Sequence, residues 1–276
     1  MNNLRTHAKS GITKYLEVFR ICFKMQIIWR FDVAMTMVAT FGRILAAWIL
    51  WQAVFSGQAM VKGFTFRTML SYYILGSIIS SIDFSRQICE EVSYLIRSGR
   101  FSGHMVTPMN PLGYFCSMTA GESAFHLGFS IFTALISVLV FRFNIAVTAD
   151  FFRIILALAI IPIGLTFMAC YQFFIGVLTF RFMEIGFFMH VQGSIIAFAT
   201  GSLVPLSLLP DSVVAVLRFL PFTHVVYTPI MLLCGQVNPA EGLFGLAVLS
   251  VWTILMLAIA QYAYNRLRVK YDGVGI

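Results

Sequence analysis

Charged residues are scarce in this sequence. Asp, Glu, Lys and Arg make up 11% of the 276 residues, whereas hydrophobic residues make up 59% and the mean hydropathy is +0.88. Soluble domains carry roughly 25% charged residues, so this chain cannot cover its own surface in water. Repeated apolar runs of about 20 residues predict a multi-spanning, all-α membrane protein. The whole chain, 1–276, is expected to form one transmembrane domain.

Catalytic motifs are also missing. A phosphate-cradling loop needs glycines before a Lys-Ser or Lys-Thr pair, and the only Lys followed by Ser or Thr is Lys9, which lacks them. There is no HExxH, no GxSxG and no CxxC, and the five His residues are scattered. These absences predict a chain that is not an enzyme, with no catalytic residue, cofactor or metal site of its own.

Apolar stretches predict six transmembrane helices. They cover residues 31–55, 68–85, 114–141, 154–180, 187–204 and 242–264. The second has a small-residue face of Gly76, Ser77, Ser80 and Ser81 that permits close helix packing.

Four residues are singled out as polar sites within these stretches: Arg43, Asp83, Glu122 and His126. Because a lipid-facing charge costs several kcal/mol, Arg43 is expected to face the bundle interior or a second subunit. Asp83 is expected to pair with Arg86, and Arg181 with Glu184. A structural hydrogen bond is favoured for Glu122 and His126, one helical turn apart, over a proton or cation site.

Two further segments have the character of membrane-associated structure. Residues 12–30 form an amphipathic pattern with aromatic residues opposite basic ones, which predicts an interfacial helix. The apolar region 205–235 is divided by prolines, which predicts a re-entrant external hairpin. Its candidate gate residues are Pro205, Pro210, Pro221 and Pro229.

The distribution of positive charge predicts the topology. Lys and Arg residues cluster before the first span and after the last one, which is typical of cytoplasmic termini. Six crossings keep both termini on that side and place the segment 86–104 there too. The charges lie beside spans, so no nucleic acid partner is indicated. We expect a multi-pass protein of the plasma (inner) membrane.

Segment 86–104 holds a short amphipathic helix whose apolar residues recur at helical spacing. Two interpretations remain open from periodicity alone. The segment is either a solvated connector that rests on lipid headgroups or a docking element for a soluble partner.

The order of these elements resembles the ABC-2 type permeases, in particular the small stand-alone transmembrane subunits of bacterial ATP-binding cassette exporters. The stretch 95–115 is similar to the family's "I..G.....L..P" pattern through Ile96, Gly99, Val106 and Pro108, with Val106 where Leu is commoner. The stretch 201–229 is similar to the family's late proline-rich pattern.

The resemblance implies a permease that works with separate ATP-binding cassette ATPase subunits, which bind ATP and Mg²⁺, and with a second, identical or related permease. It implies that 12–30 is an elbow helix and that 86–104 is the coupling segment between spans two and three. The implied coupling residues are Glu90, Glu91, Leu95, Arg97, Gly99, Arg100 and Phe101.

The expected function is export of a hydrophobic or amphiphilic substrate from the cytoplasm. The alternatives are a secondary, ion-gradient-driven transporter or, less favoured, an integral membrane enzyme. Tyr72, Tyr73 and Trp48 suggest contact with a cationic ligand through their ring faces.

Overall fold

The computed structural model describes residues 2–83, 85–202 and 204–270, and helices make up 81% of it. The described residues contain no strand, only an isolated bridge between Val61 and Phe64. The helices are α1 (Asn2–Ile28), α2 (Arg30–Phe55), α3 (Phe66–Ile82), α4 (Ser85–Arg97), α5 (Ser102–Val106), α6 (Pro111–Phe141), α7 (Phe151–Val177), α8 (Thr179–Phe182), α9 (Gly186–Ala199), α10 (Asp211–Leu217), α11 (Pro221–Val225), α12 (Tyr227–Leu233) and α13 (Pro239–Leu267).

Four helical stretches in the described part of the chain are long and apolar enough to cross a membrane: α2, α6, α7 with α8, and α13. A fifth results if α10 and the pair α11–α12, bent by 83°, count as one span. The prediction of an all-helical membrane fold is therefore confirmed, and the count of six spans is not. Predicted spans two and five correspond to α3 and α9, which have only 17 and 14 residues.

Asp83 ends α3 and positions the start of α4. Its backbone is extended, and its carboxylate accepts a hydrogen bond from the Ser85 backbone N–H at 3.0 Å. Arg86 instead pairs with Glu90, four residues further along α4, at 3.1 Å. The expected Asp83–Arg86 pair is thus wrong, because the carboxylate is used to satisfy the backbone at the helix break.

Gly201 ends the shortened fifth segment. The backbone there has φ +75°, a left-handed conformation that favours glycine. The Tyr72 hydroxyl donates a hydrogen bond to the Gly201 carbonyl at 2.6 Å, and Tyr72 is only 1% exposed. This contact fixes α3 to the beginning of the hairpin region.

Helix α7 lies at the centre of the packing, against α4, α11, α12 and α13. Its glycines permit these close approaches. An added Cβ would meet Val92 of α4 at 2.9 Å if placed on Gly176, and the Val225 backbone of α11 at 3.3 Å if placed on Gly164. A single helix thereby contacts both the coupling segment and the hairpin region.

Helix α1 packs lengthwise along the first half of α6. A Cβ at Gly113 would meet the Tyr15 ring at 2.7 Å, and one at Gly121 would meet the Phe19 carbonyl oxygen at 2.5 Å. Further along, the Phe23 and Phe125 rings contact each other edge to face. The predicted interfacial elbow is therefore not confirmed, because small residues of α6 let α1 run beside it.

Polar contacts mark the two ends of the helix bundle. At the end that carries α4, Asn110 donates through its side-chain nitrogen to Gln261 at 2.7 Å and through its backbone N–H to the Tyr15 hydroxyl at 3.2 Å. At the opposite end, Arg67 donates to the Ile145 carbonyl at 2.6 Å. The N-terminal helix, the start of α6 and the last helix thus meet at one end.

We expect Gly176→Leu to destabilise the protein, because the new side chain cannot fit between α7 and α4. Overpacking of this kind costs about 1–3 kcal/mol. The measurement is the apparent unfolding temperature of the detergent-purified protein. Gly128→Leu on α6 is the matched control, since an added Cβ there meets nothing within 4 Å. Equal loss of stability in both variants would contradict the α4–α7 contact.

Candidate coupling surface and membrane cleft

Helix α4 has one buried face and one exposed, charged face. The buried side chains pack against α7 and include Ile88, Cys89, Val92 and Ile96. The exposed side chains are Arg86, Gln87, Glu90, Tyr94 and Arg97. The helix is therefore held by its apolar face while its charged face stays accessible.

Ion pairs organise that charged face. Arg86 pairs with Glu90 on α4, and Arg97 pairs with Glu184, in the segment between α8 and α9, at 3.1 Å. The expected Arg181–Glu184 pair is replaced by this longer-range contact. Because these side chains are exposed, each pair contributes about 0–1 kcal/mol to stability, so their charges are available for other contacts.

The turn after α4 is anchored by Phe101. Gly99 adopts φ +75°, and the Phe101 backbone N–H then returns to the Leu95 carbonyl at 3.0 Å. The Phe101 side chain is fully buried, with its ring edge to face with Phe180 at 5.3 Å and near Tyr264. Phe101 thus holds the segment in place and is not on its accessible surface.

The remaining predicted coupling residues differ in exposure. Glu90, Arg97 and Arg100 are exposed, whereas Glu91 and Leu95 are half-buried. Burial raises the pKa of the Glu91 carboxyl. Burial also raises the pKa of the neighbouring Cys89 thiol, to about 12, so Cys89 remains a neutral packing residue. Among the predicted coupling residues, the accessible charge therefore comes from Glu90, Arg97 and Arg100.

The four predicted gate prolines lie at breaks in the hairpin region or within its helices. Pro205 precedes a short 3₁₀ turn, Pro210 precedes α10, and Pro221 opens α11. Pro229 is buried within α12. The bend after α10 is held by His224, which contacts the Arg218 carbonyl at 2.9 Å and the Thr228 hydroxyl at 2.8 Å.

Arg43 borders a cleft of about 280 Å³ between α2, α3 and the hairpin region. Its guanidinium donates a part-buried hydrogen bond to the Thr40 hydroxyl at 3.1 Å, and the residue as a whole is exposed. The polar residues of the cleft are Arg43, Tyr72, Tyr73, Ser77, Ser80 and Ser202. A second cavity of about 210 Å³ shares Ser80 and Ser202 and extends to Asp83 and Arg86.

Glu122 and His126 do not form a common site with Arg43. Nε2 of His126 lies 3.3 Å from the Gln26 side-chain oxygen on α1, which agrees with the expected structural role. Glu122 lies beside Cys22 and Glu91. No group of three or more His, Cys, Asp or Glu side chains could hold a metal ion in the described part of the chain.

Sequence reasoning missed three features of these sites. Glu184 is 87 residues from Arg97 along the chain, and Gly176 and Ser202 belong to no motif. The small residues on α3 were the available signal for the cleft. Gly76, Ser77 and Ser80 line it, whereas Ser81 hydrogen-bonds Ser130 of α6.

The family model described as ABC-2 family transporter protein matches residues 41–275, which is most of the chain. No curated protein and no solved structure shows a significant match. The matched region contains the coupling segment, the Arg43 cleft and the hairpin region. The chain therefore belongs to the ABC-2 transporter family, the membrane components that associate with ATP-binding cassette ATPase subunits.

Proposed function

We propose that this chain is the permease subunit of an ATP-binding cassette exporter. It moves a hydrophobic or amphiphilic substrate out of the cytoplasm with ATP hydrolysed by a separate subunit, which binds the ATP and Mg²⁺. The proposal rests on the position of α4. Its apolar face packs closely against α7 at Gly176, while Glu90, Tyr94 and Arg97 remain exposed. Such a helix can receive a soluble partner and transmit its movement.

The proposed topology has six crossings of the plasma membrane. Helices α3 and α9 make the second and fifth crossings in spite of their short lengths, with the hairpin region re-entering from outside. The residues that flank α5, Phe101 and Asn110, contact α1 and the end of α13 at one end of the bundle, which supports this topology. The basic residues near both termini make that end cytoplasmic under the positive-inside rule. α4 then faces the compartment that contains ATP.

Helix α7 would carry the movement from α4 to the outer gate. Val92 of α4 packs on Gly176, and Val225 of α11 packs on Gly164, twelve residues earlier on α7. A displacement of α4 by the closing ATPase subunits would shift α7, and with it the hairpin that contains Pro205, Pro210, Pro221 and Pro229. Sliding of packed helices between two arrangements is a known form of such transitions.

A second permease, identical or related, would complete the transporter. Arg43 lies near the middle of α2 and is exposed on the isolated chain. A charged side chain facing lipid at the centre of a helix costs about 2.5–3.5 kcal/mol or more. The partner permease would cover this face, so that Arg43 borders the path between the two subunits.

We expect Glu90→Arg and Arg97→Glu to abolish co-purification with the ATPase subunit and to abolish export. Membrane insertion and thermal stability should stay unchanged, because each variant breaks only an exposed ion pair. Glu17→Arg is the matched control, since it reverses a charge in the exposed Arg20–Glu17 pair of α1. Retained ATPase binding in both α4 variants would contradict the docking role.

The double variant Arg97→Glu/Glu184→Arg separates two roles of Arg97. It restores the ion pair with its direction reversed, while the charge offered to the ATPase stays reversed at residue 97. A docking role predicts that export remains lost. Restored export would show that Arg97 acts only by holding Glu184.

The energy source distinguishes the proposed function from secondary transport. We expect export from reconstituted vesicles to require the ATPase subunit and hydrolysable ATP, and to persist when an uncoupler collapses the proton gradient. Export should depend on the ATPase because α4, among the described helices, offers an exposed face on which that subunit can dock. Export by the permease alone, lost with the gradient, would favour the secondary transporter.

A further inference from the structure

We propose that the Arg43 cleft binds the anionic group of an amphiphilic ligand. This inference rests on the proposed function and deepens it, because it assigns a substrate class to a permease whose family match gives none. The recognised chemistry is a carboxylate, sulfate or phosphate group attached to an apolar body.

The charge of Arg43 has no acidic counterpart in the described part of the chain. The hydrogen bond to the neutral Thr40 hydroxyl leaves most of the guanidinium donors unused. No described carboxylate lies within 4.0 Å of it, since the ion pairs formed by described residues involve other arginines. A positive charge near the middle of a membrane helix is costly unless an anion or water compensates for it.

The cleft around Arg43 is lined by neutral donors and apolar groups. None of its lining residues is acidic. The Ser77 hydroxyl donates to the Ile74 carbonyl, whereas Ser80 makes no hydrogen bond with another described residue. A guanidinium presents a planar fork of N–H donors that matches a carboxylate or phosphate. The Ser80 hydroxyl, on α3, is a further donor among the lining residues. The site therefore offers one fixed positive charge, a neutral donor and no competing anion.

A second cavity lies next to the cleft, on the side of the bundle that carries α4. The adjoining cavity shares Ser80, Ser202 and Val226 with it and reaches Asp83 and Arg86 at the start of α4. In the other direction, Tyr72 closes the cleft by its hydrogen bond to Gly201 and its ring contact with Tyr227. In the proposal, a ligand from the cytoplasmic end would reach Arg43 by way of this second cavity.

A cationic ligand, suggested by the aromatic residues in the sequence, fits this geometry less well. Tyr72 is buried, and its hydroxyl is engaged with Gly201. The Trp48 ring stacks on Phe141 and packs near Phe143, away from the cleft lining. Arg43 borders the same space as Tyr73 and would repel a second positive charge.

The test measures binding to the purified full-length permease in a non-ionic detergent, without an ATPase subunit. The probe is a dansyl-labelled C11 fatty acid, compared with the alcohol and the amine of the same chain length. We expect the acid to bind more tightly than either analogue. Arg43→Met should weaken acid binding by about tenfold, the size of a lost charge-assisted hydrogen bond, whereas Arg43→Lys should retain much of it.

Two control variants keep the result interpretable. Lys24→Met removes an exposed positive charge from α1, outside the cleft, and should leave acid binding unchanged. Ser80→Ala removes the free hydroxyl without altering the charge of the cleft, and it should weaken acid binding a few-fold. This variant tests the proposal if Arg43→Met does not fold. Equal binding of acid and alcohol would overturn the proposal, as would equal affinity of wild type, Arg43→Met and Ser80→Ala.

Competition identifies the source of the anionic group. Displacement of the probe by phosphatidylglycerol but not by phosphatidylcholine would assign the cleft to a lipid headgroup, and no displacement would assign it to a free amphiphile. Both results support an anionic ligand. Because no ATPase is present, the outcome is independent of docking: Glu90→Arg should lose the ATPase and still bind the fatty acid.

Discussion

Helix α7 approaches α4 so closely at Gly176 that a Cβ there would lie 2.9 Å from Val92. This contact determines the position of the coupling segment. The Val92 face of α4 is buried, so its opposite face must point outward, and the buried Phe101 ring fixes the turn that follows. α7 also contacts the hairpin region at Gly164, so the exposed face of α4 and the helices of the hairpin region depend on the same helix.

In the hydrocarbon core of a membrane, polar groups need partners within the protein, so the few polar residues constrain the structure of this chain. Where a helix is broken at membrane depth, its free backbone N–H and C=O groups need hydrogen-bond partners within the protein. The hairpin region supplies such partners, for example the His224 ring nitrogen that contacts the Arg218 carbonyl. The ion pairs between described residues lie outside the long apolar helices or near their ends. Arg43 forms none of these pairs and lies near the middle of α2, beside the neutral donors of α3. A charge there is costly in a membrane, and a bound anion would reduce that cost.

Much of the helical architecture follows from the sequence, because apolar runs and amphipathic spacing are local signals. They located α2, α6, α7, α13 and the accessible face of α4. The shortening of the fifth segment at Gly201, the Arg97–Glu184 pair and the burial of Phe101 depend on residues far apart along the chain. The lengthwise packing of α1 on α6 depends on the size of Gly113 and Gly121, which hydropathy does not reveal. The Arg43 cleft likewise needs α2, α3 and Ser202 to be brought together in space.

The most direct test of the account is photo-crosslinking from Tyr94, whose side chain is 54% exposed on α4. A photoreactive amino acid at Tyr94 should crosslink to a cytoplasmic ATPase subunit in intact membranes. The same amino acid at Met60, 62% exposed near the opposite end of the bundle, should not. Accessibility of residue 94 to an impermeant reagent from outside the cell would contradict the proposed role of α4, and with it the transport mechanism.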